Sequence, residues 1–257
     1  MSPNPAPRLL WADLLKILSI YAVILIHSAA PLLLTWKEGD ADGWWVGNLY
    51  DSLARWCIPM FFMISGALLI PGAGSTSIPR FLSRHVIRIG IPFLVWSAIY
   101  FAWQRRINAE QLPWRSFFPV ILREPAYYHL WFLYVLFGLY LLAPIIAAYL
   151  NDAGRKRALY FVAIWLVFGS ILPTIEAWRG VRFFIMPSAA DSVFRYVGFF
   201  VLGYLLRPVR YGIKGTSVLL LLFLLGFGFT LYGTWYLTAH RGEGTFSATL
   251  YEYYSPN

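Results

Sequence analysis

Residues 10–30 read LWADLLKILSIYAVILIHSAA, an apolar run in which only Asp13, Lys16 and His27 are ionisable. A helix that crosses the hydrocarbon of a bilayer needs about 20 residues of this character, so the stretch predicts a transmembrane helix. No small-residue cleavage site follows it and more apolar runs do, which makes it a retained helix and not a signal peptide. The same pattern recurs along the chain. Candidate spans are Leu10–Ala30, Ser52–Pro71, Ile89–Gln104, Leu130–Leu150, Ala158–Glu176, Asp191–Leu206 and Ser217–Leu237, the third and sixth being short for a full crossing. The fold expected is an all-α, polytopic transmembrane helix bundle of seven spans, one membrane domain over residues 1–257. Composition agrees: only 13% of residues are charged, against about a quarter in soluble chains.

The charges between spans alternate. One set of loops holds Arg8, then Arg80, Arg84 and Arg88, then Arg155, Lys156 and Arg157, then Arg207, Arg210 and Lys214, with Asp152 as the main acid. The other set mixes cations with Glu38, Asp40, Asp42, Glu110, Glu124 and Glu243. Cationic loops stay in the cytoplasm, which puts the N-terminus inside; Trp36, Trp44, Trp45, Trp114 and Trp178 then fall at the outer interface, where indoles concentrate. The net charge of +9 is therefore topological: no long basic run exists to bind nucleic acid. The single cysteine, Cys57, lies in an apolar run, excludes an intramolecular disulfide and reads as buried and structural.

Ionisable groups inside an apolar helix are costly and face protein or a water-filled cavity. At 100° per residue, Lys16 and His27 differ by about 20° around the axis and Asp13 and His27 by about 40°. The three share a face, with His27 roughly 16 Å further out than Lys16. Two readings are open. Asp13 and Lys16 pair at the headgroups while His27 is a satisfied interfacial histidine, or the stripe lines a site. Arg84 and Arg88 are likewise plain cytoplasmic anchors or ligand-binding groups, and Arg80 is a plain anchor. Asp51 and Arg55, four residues apart, read as a structural ion pair. His129 and Trp131 are an ordinary interfacial pair or part of a pocket. No metal-ligand cluster, phosphate-binding loop or serine nucleophile elbow occurs.

Several motifs, in order, resemble acyltransferase family 3, membrane enzymes that move acyl groups onto sugar hydroxyls. Lys16, ten residues and His27 are similar to the family's arginine, ten residues, histidine, and Asp13-Leu14 to its opening. Phe61-Phe62-Met63-Ile64-Ser65-Gly66, the stretch from Arg88 to Ser97, His129-Leu130-Trp131 and Gly198-Phe199-Phe200-Val201-Leu202-Gly203-Tyr204 follow in register. Within the family the chain resembles the branch typified by the enterobacterial common antigen O-acetyltransferase. It departs in carrying Lys16 for arginine, His85 for the first arginine of the basic pair that ends at Arg88, and Leu136 and Phe137 where some relatives carry glutamates.

The resemblance implies a bacterial inner-membrane O-acyltransferase, in the first instance an acetyltransferase. The donor substrate is acyl-coenzyme A, with no tightly bound cofactor and no metal, and the acceptor is a sugar hydroxyl of a surface polysaccharide or lipid-linked glycan. His27 becomes the catalytic residue, as general base or as covalent acyl carrier. Lys16, Arg84 and Arg88 become donor-binding groups for the coenzyme phosphates, Asp13 and His85 supporting residues, and His129 and Trp131 the acceptor side. The family carries more spans than seven, so the resemblance also implies that helices are missing beyond Tyr251–Asn257. The rival expectations are a transporter or flippase for lipid-linked sugars, whose pathway the stripe would line, and an inactive truncated relative.

Overall fold

In the computed structural model the chain is built from helices. The structure describes residues 9–37, 41–107, 113–150, 154–179, 188–210, 212–241 and 246–248. Arg8, Glu38, Asp40, Glu110, Asp152, Glu243 and the tail 251–257 lie outside the described residues, as do the side chains of Trp178 and Asp191. The helices are α1 (Leu10–Leu33), α2 (Asp42–Ala54), α3 (Cys57–Ala73), α4 (Ile78–Ile107), α5 (Phe117–Arg123), α6 (Trp131–Leu150), α7 (Gly154–Trp165), α8 (Leu172–Arg179), α9 (Ser188–Leu206) and α10 (Ile213–Arg241). Among the described residues six helical stretches are long and apolar enough to span a membrane: Leu10–Leu33, Asp42–Ala73, Ile78–Ile107, Tyr128–Leu150, Gly154–Glu176 and Ile213–His240. The apolar part of α9, Val193–Leu206, is shorter than these. The protein is a multi-pass membrane protein.

Two spans begin ten or more residues earlier than hydropathy predicts. The second reaches back to Asp42 because α2, with its Asp42, Gly43, Asn48 and Asp51, is helical despite its polarity. The third reaches back to Ile78, so Arg80, Arg84 and Arg88 stand on the first turns of α4 and not in a loop before it. Arginine is a good helix former, and hydropathy is blind to that. Thirty residues make a helix of about 45 Å, longer than the roughly 30 Å hydrocarbon, and its basic end has room to project.

The chain divides into two compact units. The first comprises Met1–Ala67, Ala158–Met186 and Arg195–Asn257. Here α1 and α2 pack closely because Gly47 carries no side chain: a Cβ there would lie 2.8 Å from Leu32 Cβ and 3.2 Å from the Ala29 carbonyl. α3 and α9 cross still more tightly, through Gly66 against the Phe200 carbonyl and Gly203 against the Met63 carbonyl, where a Cβ would come within 1.7 and 1.9 Å. The apolar stretches 61–66 and 198–204 are thus two halves of one helix crossing of the small-residue kind common in membranes. Near that crossing Pro71 has no N–H to offer the Ala67 carbonyl four residues back, and Arg207 Nη1 donates to that oxygen at 3.0 Å. Gly198 admits the Trp165 ring, whose Nε1 donates to the Arg195 carbonyl at 3.1 Å. Cys57 is fully buried.

The second unit comprises Leu68–Arg157 and Pro187–Phe194. α4 and α6 meet through aromatic edges such as Phe93 on Tyr134, at 4.9 Å between ring centres. The Tyr134 hydroxyl donates to the carbonyls of Ile121 and Glu124, tying α6 to the end of α5. Gln104 on α4 donates to the Ala126 carbonyl at 2.7 Å.

Candidate active site

The buried face of α1 runs through Ala12, Ser19, Ala22, Ile26, Ala29 and Leu33. His27 stands beside that seam, one residue from Ile26, and its ring is exposed on the helix surface. Gly47 brings α2 against this part of α1, and α2 turns Asp51 into the same interior, with 1% of its surface exposed. Arg55 Nε donates to Asp51 Oδ1 from the next turn. Asp51 and Arg55 both lie within electrostatic reach of the His27 imidazole. Oδ2 of Asp51 is buried and has no hydrogen-bond partner among the described residues. A buried carboxylate is tolerable only when paired, and Arg55 supplies the pairing. Arg55 caps the C-terminus of α2 at a two-residue interruption, Arg55–Trp56, before α3 begins. A cation there also meets the negative end of the helix dipole. The result is a base, an acid and a fixed cation grouped within a membrane-spanning region.

A second feature lies wholly in the other unit. A cavity of about 630 Å³ opens where α3 ends and α4 begins, lined by the Ser75, Thr76 and Ser77 segment and by Arg80, Arg84 and His85, among others. His85 Nδ1 contacts the Phe81 carbonyl at 2.8 Å. A carbonyl oxygen only accepts, so Nδ1 carries the hydrogen and Nε2 is the ring's basic nitrogen. Arg80, Arg84 and Arg88 recur every four residues and share a helix face, but Arg88 is not among the residues lining this cavity.

The remaining predicted residues separate. Lys16 and Asp13 pair on the surface of α1 at 3.9 Å, with side chains 43% and 46% exposed. Such a pair contributes at most about 1 kcal/mol, so it does not tie up the lysine charge. His129 is set edge-on among Tyr100, Tyr127 and Tyr128, at 5.0, 5.1 and 5.3 Å between ring centres. Tyr100 and Tyr127 stack at 4.5 Å. Trp131 is half-buried and meets Phe132 edge-on. Three groups escaped the sequence reading: Asp51 and Arg55 as companions of His27, Arg80 as a cavity residue, and the hydroxyls of residues 75–77. The signal for the first was present, since an acid and an arginine in an apolar stretch are costly wherever they are not used.

A family model described as an acyltransferase domain matches residues 9–257. No curated protein and no solved structure matches the chain significantly.

Proposed function

The chain belongs to acyltransferase family 3, and on that premise we propose that it transfers an acyl group, in the first instance acetyl, from acyl-coenzyme A to a sugar hydroxyl of a cell-surface polysaccharide or its lipid-linked precursor in the bacterial inner membrane. The observation that carries this reading is the grouping of His27 with Asp51 and Arg55. An imidazole within electrostatic reach of a buried carboxylate suits general-base chemistry, because the carboxylate stabilises the imidazolium that forms. His27 takes the proton of the acceptor hydroxyl as its oxygen attacks the thioester carbonyl. The new ester C–O bond forms, the C–S bond breaks, and the imidazolium returns the proton to the departing thiolate. Arg55, bonded to Asp51 Oδ1, pairs the buried carboxyl while this happens.

The cavity at the start of α4 suits the donor. Hydroxyls and two arginines are the groups that hold phosphate oxygens, and coenzyme A carries several phosphates. Arg84 is the principal donor contact in this reading, joined by Arg80; Arg88 adds longer-range attraction, His85 offers Nε2, and Lys16 keeps the donor-binding role that the family motif implies. On the acceptor side, Trp131 supplies a ring face for a sugar, with His129 holding the tyrosines beside it. The likeness of the motifs to the enterobacterial common antigen branch supports an acetylated glycan as product.

The test is release of coenzyme A thiol from acetyl-coenzyme A by the purified protein in liposomes supplied with membrane glycan. We expect acceptor-dependent release that falls at least about 100-fold in His27→Ala, the usual scale of general-base catalysis. Release unaffected by His27→Ala refutes the assigned base, and no release at all with well-folded protein favours a transporter. An acetylated His27 trapped in the absence of acceptor would identify the covalent variant of the mechanism.

A further inference from the structure

The turn of α2 that precedes Asp51 is held from two sides. On one side Gly47 meets α1, where even a methyl group would press on Leu32 Cβ at 2.8 Å and on the backbone of Ala29 and Leu33 at 3.2 Å. On the other, the fully buried Asn48 donates from Nδ2 to the Leu231 carbonyl of α10 at 2.9 Å. Its Oδ1 accepts from Ser52 Oγ at 3.2 Å, closing a network within α2. Ser52 and Asp51 are adjacent, and both are buried. Trp45 and Trp235 stack near the same junction at 6.1 Å.

Nothing in the chemistry of acyl transfer requires an asparagine there. A helix can dock on another by apolar contact alone, and a buried carboxamide adds stability only while its hydrogen bonds are made. Its use is directional: an amide bonded to a helix carbonyl on one neighbour fixes both the rotation and the depth of α2, as an apolar side chain does not. Rotation matters because Asp51 is one turn away on the same face, and a 20° turn about the helix axis moves a carboxylate by roughly 2 Å at a radius of about 5–6 Å. Gly47 sets how near α1, and with it His27, approaches that carboxylate.

We propose that Gly47 and Asn48 are positioning residues which together set the separation and orientation of His27 and Asp51, Asn48 acting through α10 and Gly47 through α1. The proposal rests on the reading of His27 as the base, and it adds that α10 belongs to the active-site architecture without contributing a reacting group.

The experiment is a double-mutant cycle on the full chain, Asn48→Leu and Asp51→Asn singly and together, with Ser52→Ala as a milder break in the same network. Two readouts are taken: kcat and KM for acetyl-coenzyme A, and the rate at which diethyl pyrocarbonate modifies His27, followed by peptide mass spectrometry with His240 as internal reference. Asn48→Leu is expected to lower kcat about 10-fold with the donor KM within about twofold, and to have no further effect once Asp51 is asparagine. The His27 modification rate is expected to change in Asn48→Leu and Asp51→Asn alike and to change no more in the double variant, while His240 is unaffected. Multiplicative losses across the cycle, or a His27 rate that Asn48→Leu leaves unchanged, overturn the proposal. The labelling needs no turnover, so a chain that transfers no acyl group refutes the acyltransferase reading while the positioning role is still decided. If Asn48→Leu does not fold, Ser52→Ala carries the same test.

Discussion

Asp51 is the residue on which the site turns. It is almost wholly buried, bonded to Arg55 and within electrostatic reach of His27, an arrangement whose desolvation cost is hard to rationalise in a purely structural helix. Asp51→Asn keeps the shape and removes the charge. It is expected to lower kcat by about 10- to 1000-fold at unchanged donor KM, within the range general acid–base groups contribute, as steady-state kinetics in liposomes would show. The cavity arginines should behave in the opposite way. Arg84→Ala, and to a smaller degree Arg80→Ala, is expected to raise the KM for acetyl-coenzyme A about 10-fold, since a charge-assisted hydrogen bond contributes about 1.5–3 kcal/mol, and to leave kcat nearly intact. A lowered kcat with unchanged KM would remove the cavity from donor binding. His27 and Lys16 were legible in the sequence because both sit on α1, where helical periodicity alone fixes their relation. Asp51 was legible only as Arg55's partner, because its relation to His27 depends on how α1 and α2 pack, and no spacing along the chain reports that.

At the scale of the elements, glycine and proline explain what the motifs are for. Gly66 and Gly203 allow α3 and α9 to touch backbone to backbone. Gly66→Ala or Gly203→Ala forces the two apart and is expected to cost about 1–3 kcal/mol, seen as a lower thermal midpoint in detergent; an unchanged midpoint would mean that the crossing yields freely. Arg207 replaces the hydrogen bond that Pro71 denies Ala67. Arg207→Met should therefore destabilise the protein, and destabilise it less when Pro71 is also changed to alanine, because the restored N–H can then serve the carbonyl. Equal losses in both backgrounds would contradict this account. From sequence these stretches read only as apolar runs with small residues. Hydropathy misplaces the start of the long α4, since arginines at four-residue intervals lower hydropathy while favouring the helix.

At the scale of the whole molecule, the helical, membrane-spanning character was plain from composition, because a chain so poor in charge has no other way to satisfy its backbone than in helices or a closed barrel, and its apolar runs have helical length. The number of spans was less plain, since α2 extends the second and α9 falls short of the rest. What composition does not reveal is chemistry. That came from a few ionisable side chains placed where a bilayer makes them expensive, and from a family match that covers nearly the whole chain. The cavity at the start of α4 and the His27 group lie in different units of the chain, so substitutions in the two are expected to act independently.

The most direct measurement is incorporation of label from radiolabelled acetyl-coenzyme A into membrane glycans, comparing membranes that carry the intact protein with membranes that carry equal amounts of His27→Ala. Label is expected in the glycan fraction with the intact protein, and near-background label with the substitution. Equal incorporation in the two would contradict the assignment of His27 as the base.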